Sequence, residues 1–365
     1  MIPVCEPKLG TKELEYVIDA VKTNWISSKG KYIDEFEKRF AEYCNAKHGI
    51  ACSNGTVAIH LALASLGIKA GDEVIIPTFT MIATVNPVTY TGAKPVLVDS
   101  EPKTWNMDPE KIEEKITPRT KAIMVMHTYG HPCDMGPINE IAEEHDLYVL
   151  EDAAEAHGAE YKGKKVGALG DAGCFSFYAN KIITTGEGGM VVTNDDQIAE
   201  MARLLRDQAF EKKRFLHRYV GYNYRMTNLQ AAVGVGQMDL IDESVVTRRK
   251  NAMLYNSLLK DVDGVTLPPE APWAKNVYWM YTVLIEDSYG MSRDSFMEYM
   301  KQKGIDSRAA FYPIHIQPVY QKQYEGEKYP VAEEIGRKGV NLPSGNTLTN
   351  DQIKLIADTI AASRR

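Results

Sequence analysis

Lys181 closes the run Gly173-Cys174-Phe175-Ser176-Phe177-Tyr178-Ala179-Asn180-Lys181 and is followed by Thr185-Gly186-Glu187-Gly188-Gly189. An amine condenses with an aldehyde to form an imine, so a lysine held on a short strand beside a glycine-rich turn points to pyridoxal phosphate (PLP) chemistry. Asp152 sharpens the expectation. It follows the apolar run Leu147-Tyr148-Val149-Leu150, where a buried strand would release a carboxylate towards a cofactor. PLP needs an acid there because a protonated ring nitrogen withdraws electrons from the substrate carbon and a neutral pyridine does so poorly.

The cofactor's phosphate needs its own site, and Ser53-Asn54-Gly55-Thr56 lies between an expected strand and a helix beginning near Val57. Free N–H groups of a first helical turn and the helix dipole attract an anion, and Gly55 lets it come close. Taken alone, an ordinary Ser/Asn helix cap explains the segment equally well. Ser176 precedes Lys181 by five residues and can offer a hydroxyl to the same phosphate or merely satisfy a strand end. A lone acid after a strand is most often a cap, and a lone lysine most often a solvated amine. Their joint order decides: phosphate loop, aspartate, then serine and lysine, each at the end of an expected strand, where open sheets bind ligands. Glu155, in Ala153-Ala154-Glu155-Ala156-His157-Gly158, falls where a side chain can reach a cofactor ring oxygen or a substrate hydroxyl. His157 has even odds of a chemical or a packing role. His131 and Cys133 make a poor metal pair and are expected to be structural. Neither GxGxxG nor GxxxxGKS/T occurs, which disfavours the common nucleotide-binding loops.

The elements that must carry these residues show in the hydrophobic pattern. From about residue 50 to 195, short apolar β-branched runs alternate with helix-like segments, as in a mainly parallel sheet covered on both faces. Strands are predicted at Gly49 to Cys52, Glu73 to Pro77, Lys94 to Asp99, Lys121 to Met126, Leu147 to Glu151, Gly173 to Phe177 and Gly189 to Thr193. Helices are predicted at Lys12 to Lys22, Asp34 to Tyr43, Val57 to Leu66, Pro137 to Glu144, Asp196 to Asp207 and Leu229 to Leu240. Phe36 and Phe40 share one helix face. The texture changes after residue 235. A charged helix over Ile241 to Leu259 leads to the connection Pro268-Pro269-Glu270-Ala271-Pro272, then a strand over Val277 to Ile285 and helices over Arg293 to Lys303 and Asp351 to Ala361. Residues 1–235 are thus expected to form a large α/β domain and 236–365 a smaller α+β domain.

The 365 residues, 44% hydrophobic and 25% charged, have the composition of an ordinary globular protein of roughly two domains. A net charge of −7 argues against a general nucleic-acid or membrane-surface binder. Five cysteines without CxxC spacing suit neither a disulfide framework nor a zinc site, so no metal is expected. The start lacks a basic and apolar leader, and no stretch approaches about 18 uninterrupted apolar residues, so a cytoplasmic protein is expected.

These residues resemble the DegT/DnrJ/EryC1/StrS sugar aminotransferases, PLP enzymes of the aspartate-aminotransferase fold, over nearly the whole chain. The stretches that carry the resemblance are Asn24 to Ile33, Ser53 to His60, Pro77 to Asn86, Glu151 to Gly158, Phe175 to Gly189, Tyr222 to Asn228 and Phe311 to His315. The resemblance implies that Lys181 is the internal-aldimine lysine, Asp152 the partner of the pyridine nitrogen, and Ser176 with Gly55 and Thr56 the phosphate holders. Asn223 resembles the residue that reaches the phosphate from the neighbouring subunit, which implies a homodimer with shared active sites. Glu155 stands where many members have glutamine. Met81 stands where many have an aromatic stacked on the cofactor, and its polarizable thioether can cover the ring instead. Arg308, Tyr312 and His315 fall where the family contacts the nucleotide sugar, with Trp25, Ser27 and Lys29 as further contacts.

The implied reaction moves an amino group from L-glutamate, through pyridoxamine phosphate, to C4 of a nucleotide-linked 4-keto-6-deoxy sugar, in O-antigen lipopolysaccharide biosynthesis. The likeness is strongest to members that act on GDP-4-keto-6-deoxymannose. A UDP- or dTDP-linked sugar is the alternative substrate, and a non-catalytic PLP-fold protein the alternative class. The related 3-dehydratases carry histidine in place of the lysine, so Lys181 argues against that branch.

Overall fold

The computed structural model describes residues 1–213 and 215–363. Helices α1 (Thr11–Lys22) and α2 (Lys31–Tyr43) lead into β1 (His48–Cys52) and α3 (Gly55–Ser65). Then follow β2 (Glu73–Pro77), α4 (Ile82–Tyr90), β3 (Lys94–Val98), β4 (Thr120–Met126), α5 (Met135–Glu144), β5 (Tyr148–Asp152), β6 (Ala172–Ser176) and β7 (Gly189–Thr193). The seven strands form one sheet in the order β1-β7-β6-β5-β4-β2-β3. Every pairing is parallel except those of β7, which runs antiparallel to both β1 and β6. Helices cover both faces, and the strand sequences are correspondingly near-continuous apolar runs, with β2, β6 and β7 wholly buried. Phe36 and Phe40 are fully buried, as their spacing predicts, and meet Phe177 edge-on at 4.9 and 5.0 Å between ring centroids.

After α6 (Asp196–Arg206), α7 (Asn228–Met238) and the long α8 (Ile241–Leu259), the chain adds β8 (Val265–Thr266), β9 (Tyr281–Ile285), α9 (Arg293–Gln302), β10 (Arg308–Ala309), α10 (Pro330–Lys338), β11 (Gly339–Leu342) and α11 (Asn350–Ala362). The four short strands form an antiparallel sheet in the order β8-β9-β11-β10. Tyr255, Phe296, Met300, Ile353 and Ile356 lie in a second apolar cluster beside it. No helix of the described residues is long and apolar enough to cross a membrane.

Two departures from the pattern have local causes. No helix is predicted over Ile82–Tyr90, because Pro87 removes a helical donor and the β-branched residues blur the period. The strand predicted from Val277 begins only at Tyr281, since Tyr278 adopts φ 48° and breaks the extended run.

Candidate active site

The anion end of the site is built by the β1–α3 connection. The Asn54 side chain caps α3 by accepting from the Val57 N–H at 2.9 Å, which leaves the Gly55 and Thr56 amides as donors without intrahelical partners. Ser176 ends β6 against the same turn. The fit is tight: a Cβ on Gly55 would sit 2.6 Å from the Ser176 Cβ, and one on Gly189 would sit 2.2 Å from the Asn54 carbonyl oxygen. Gly55→Ala is therefore expected to cost about 1–3 kcal/mol of stability and to weaken phosphate binding, checked by denaturant midpoint and by cofactor titration.

Asp152, the last residue of β5, is buried. Its Oδ2 accepts from Thr84 Oγ1 at 2.6 Å, and its Oδ1 accepts from the Ala154 N–H at 3.2 Å. Burial pushes its pKa up, while the Thr84 hydroxyl, the Ala154 amide and the charge of Lys181 pull it back. Thr84 lies on α4, the helix the sequence pattern does not reveal.

Lys181 lies in a turn beyond β6 and not on a strand, with its N–H bonded to the Tyr178 carbonyl at 2.9 Å. Its side chain is only 10% exposed, with Nζ 3.8 Å from Glu155 Oε1 and 3.6 Å from the centre of the Trp279 ring. Burial lowers the pKa of Lys181, against the opposing charges of Glu155 and Asp152. Burial likewise raises Glu155, against Lys181 and the Tyr129 amide, which donates to Glu155 Oε2 at 3.0 Å. Desolvation thus drives the pair towards a neutral amine, the form that attacks a carbonyl and accepts a proton.

These groups share one cavity of about 730 Å³, lined by Gly55, Thr56, Met81, Asp152, Glu155, Ser176, Lys181 and Arg308 among the expected residues. Trp279, Phe311 and Asn341 join them from the C-terminal part of the chain. Phe311 opens one of the stretches that carry the family resemblance, while no local sequence pattern marks Trp279 or Asn341. Met81 stands half-exposed at the cavity, its sulfur accepting from the Ala83 N–H at 3.2 Å.

The other expected residues lie outside that lining. Asn223 is exposed, in a bridge with Asp207. Trp25, Ser27 and Lys29 are exposed, and Trp25 lines a separate cavity of about 530 Å³ with Lys31, Tyr32 and Asn228. Tyr312 is exposed, its hydroxyl accepting from Arg293 at 3.4 Å. His315 is buried, with its ring nitrogens 2.9 Å from Thr78 Oγ1 and 3.1 Å from Glu333 Oε1. His157 packs among Phe40, Phe175 and Phe177, and burial depresses its pKa to about 3. His131 accepts from the Ala271 N–H at 3.0 Å, and Cys133 donates to the Met126 carbonyl at 3.1 Å, as structural groups do.

The donor set fits PLP: helix-end amides and a hydroxyl for a phosphate, a buried carboxylate for a ring N–H, and a desolvated amine for an aldehyde.

Comparison with known proteins agrees with this chemistry. Residues 7–361 match the model of the DegT/DnrJ/EryC1/StrS aminotransferase family. The GDP-perosamine synthase of Caulobacter vibrioides is 50% identical over 96% of this chain and 95% of its own. The GDP-perosamine synthase of Escherichia coli O157:H7 is 46% identical over 98% and 97%. The crystal structure of S. venezuelae DesV in complex with a ketimine intermediate superposes with a TM-score of 0.91 at 35% identity, covering 96% of this chain and 94% of that one. With the family matched over nearly the whole length and the same α/β architecture in a solved relative, this chain is a member of the DegT/DnrJ/EryC1/StrS aminotransferase family.

Proposed function

We propose that this enzyme uses PLP to move an amino group from L-glutamate to C4 of GDP-4-keto-6-deoxy-D-mannose, yielding GDP-perosamine. The observation that carries the proposal is the convergence of the Lys181 amine, the buried Asp152 carboxylate and the α3 amides on one cavity. The two relatives named GDP-perosamine synthase, at 50% and 46% identity, support the choice of sugar.

When bound, PLP supplies an electron sink for the carbon whose C–H bond is made or broken. Lys181 Nζ would hold the cofactor through its aldehyde and, as a free amine, would move the proton at the substrate carbon. A lysine suits this work when burial makes it a neutral base. Asp152, oriented by Thr84, would keep the ring nitrogen protonated. The Gly55 and Thr56 amides with the Ser176 hydroxyl would hold the phosphate, Met81 would cover the ring, and Glu155 would steer Nζ. A single site that serves the amino donor and the amino acceptor in turn predicts ping-pong kinetics.

Arg308, which lines the cavity, suits the anionic nucleotide sugar. Trp25, Ser27, Lys29, Tyr312 and Asn223 are exposed in a single chain, which suits contacts made across a homodimer boundary, while His315 braces the segment that carries Tyr312. In that arrangement Asn223 serves the phosphate of the neighbouring subunit's cofactor. Asn223→Ala is then expected to weaken cofactor retention about tenfold, the loss of one charge-assisted hydrogen bond. Equilibrium dialysis measures it, and unchanged affinity speaks against the shared site. A cytoplasmic location follows from substrates that are water-soluble nucleotide sugars.

The test of the substrate is a panel of 4-keto-6-deoxy sugars on GDP, UDP and dTDP, with glutamate and PLP, read by product mass. Preference for the GDP sugar is expected. Preference for a UDP or dTDP sugar would leave the aminotransferase and remove the perosamine assignment.

A further inference from the structure

Arg248, on α8, is only 1% exposed, yet no carboxylate pairs with it among the described residues. Its Nη1 donates to the Trp279 carbonyl at 2.7 Å and to the Ser344 carbonyl at 3.4 Å, and its Nη2 donates to the Cys5 sulfur at 3.3 Å. Two of the acceptors are peptide carbonyls and the third is a sulfur, and none is a carboxylate. A buried guanidinium without a counter-ion is costly, so where its contacts lead matters. Trp279 donates from Nε1 to the Asn180 carbonyl at 2.9 Å, and the Cys5 thiol donates to that same oxygen at 3.3 Å. Asn180 directly precedes Lys181. Two of the three residues that Arg248 holds, Trp279 and Cys5, therefore converge on the peptide that aims the lysine, and the Trp279 ring is the surface 3.6 Å from its Nζ.

We propose that Arg248 is a positioning residue for Lys181: through Trp279 and Cys5 it pins the Asn180 carbonyl and the indole against Nζ, and it keeps a fixed positive charge near the reactive amine. The inference deepens the proposed function and rests on Lys181 being that amine. The charges around Lys181 come from several elements. Glu155 and Asp152 at the end of β5 favour the ammonium, while Arg248 from α8 opposes it; Cys5 from the N-terminal segment also faces the lysine, and burial keeps His157 neutral. Removing the guanidinium charge therefore makes Lys181 easier to protonate, and its pKa rises.

The experiment uses Arg248→Gln, whose amide can still donate to the Trp279 carbonyl, and Arg248→Lys, which keeps a charge. Competitive acetylation of the cofactor-free protein, followed by mass analysis of the peptide containing Lys181, gives the pH midpoint of that amine. The midpoint of the visible absorbance change gives the pH midpoint of the linked imine nitrogen in the PLP-loaded protein, a separate group that feels the same neighbouring charges. Arg248→Gln is expected to move both midpoints up by about one pH unit, and Arg248→Lys to return them towards the parent value. Unmoved midpoints in a folded Arg248→Gln protein that binds PLP normally would overturn the inference. If PLP does not bind at all, the proposed function fails, while the acetylation midpoint still reports on Arg248. Should Arg248→Gln not fold, Trp279→Phe breaks the link to Asn180 without removing a charge. It is expected to lower kcat about tenfold with KM unchanged, as a misaimed amine does, and an unchanged kcat would count against the inference.

Discussion

Lys181→Ala is expected to lower transamination by at least about 10⁴-fold, because in the proposed function one side chain supplies both the bond to the cofactor and the proton transfer at the substrate carbon. The variant should still fold and assemble as the parent does. The lysine's backbone bond to Tyr178 is kept, and the side chain gives up an ion contact at 3.8 Å with Glu155 and a contact with the Trp279 ring. Glu155 is left without its cation, but burial already raises its pKa, so it can take up a proton instead of remaining a buried anion. Product mass from the two-substrate assay measures the loss, and light scattering measures the assembly. Turnover at the parent rate would remove the mechanism.

Asp152→Asn carries the second-largest expected effect. The amide matches the carboxylate in shape and its oxygen can still accept from Thr84, so cofactor binding should change little. The anion that holds a proton on the ring nitrogen is lost. A fall in kcat of about 10²–10³-fold follows, comparable with losing one preorganised electrostatic contact. The same reasoning sets the acid limb of the pH profile. Burial raises the pKa of Asp152, so as pH falls through that raised value the carboxylate takes up a proton and activity declines. Asp152→Asn should remove that limb along with most of the rate, as steady-state assays across the acid range will show.

Much of this was legible in the sequence because buried strands write themselves as apolar runs. The predicted strands of the large sheet match the structure within a residue at every end, and α8 has the predicted bounds, Ile241–Leu259. Lys181, Asp152, Ser176 and Gly55 could be found because each follows or precedes such a run, and the sheet brings their ends together. The placement of Lys181 on a strand was not correct in detail, since the chain turns before it reaches the lysine.

What stayed hidden is what tertiary packing supplies. Thr84 orients Asp152 from a helix that Pro87 disguises. Trp279 and Arg248 reach Lys181 from the far part of the chain, and no spacing around position 181 announces them. Trp25, Ser27, Lys29, Tyr312 and Asn223 came from family likeness alone, and their exposure in one chain makes the partner subunit of the proposed homodimer the place to look for their role.

The central claim is a covalent carbon–nitrogen link between one amine and the PLP aldehyde. Incubation with PLP, reduction with borohydride, digestion and mass analysis test it directly. The peptide containing Lys181 is predicted to gain the mass of a reduced phosphopyridoxyl group, and no other lysine peptide should gain it. A protein that stays colourless with PLP, with an unmodified Lys181 peptide after reduction, would contradict the account.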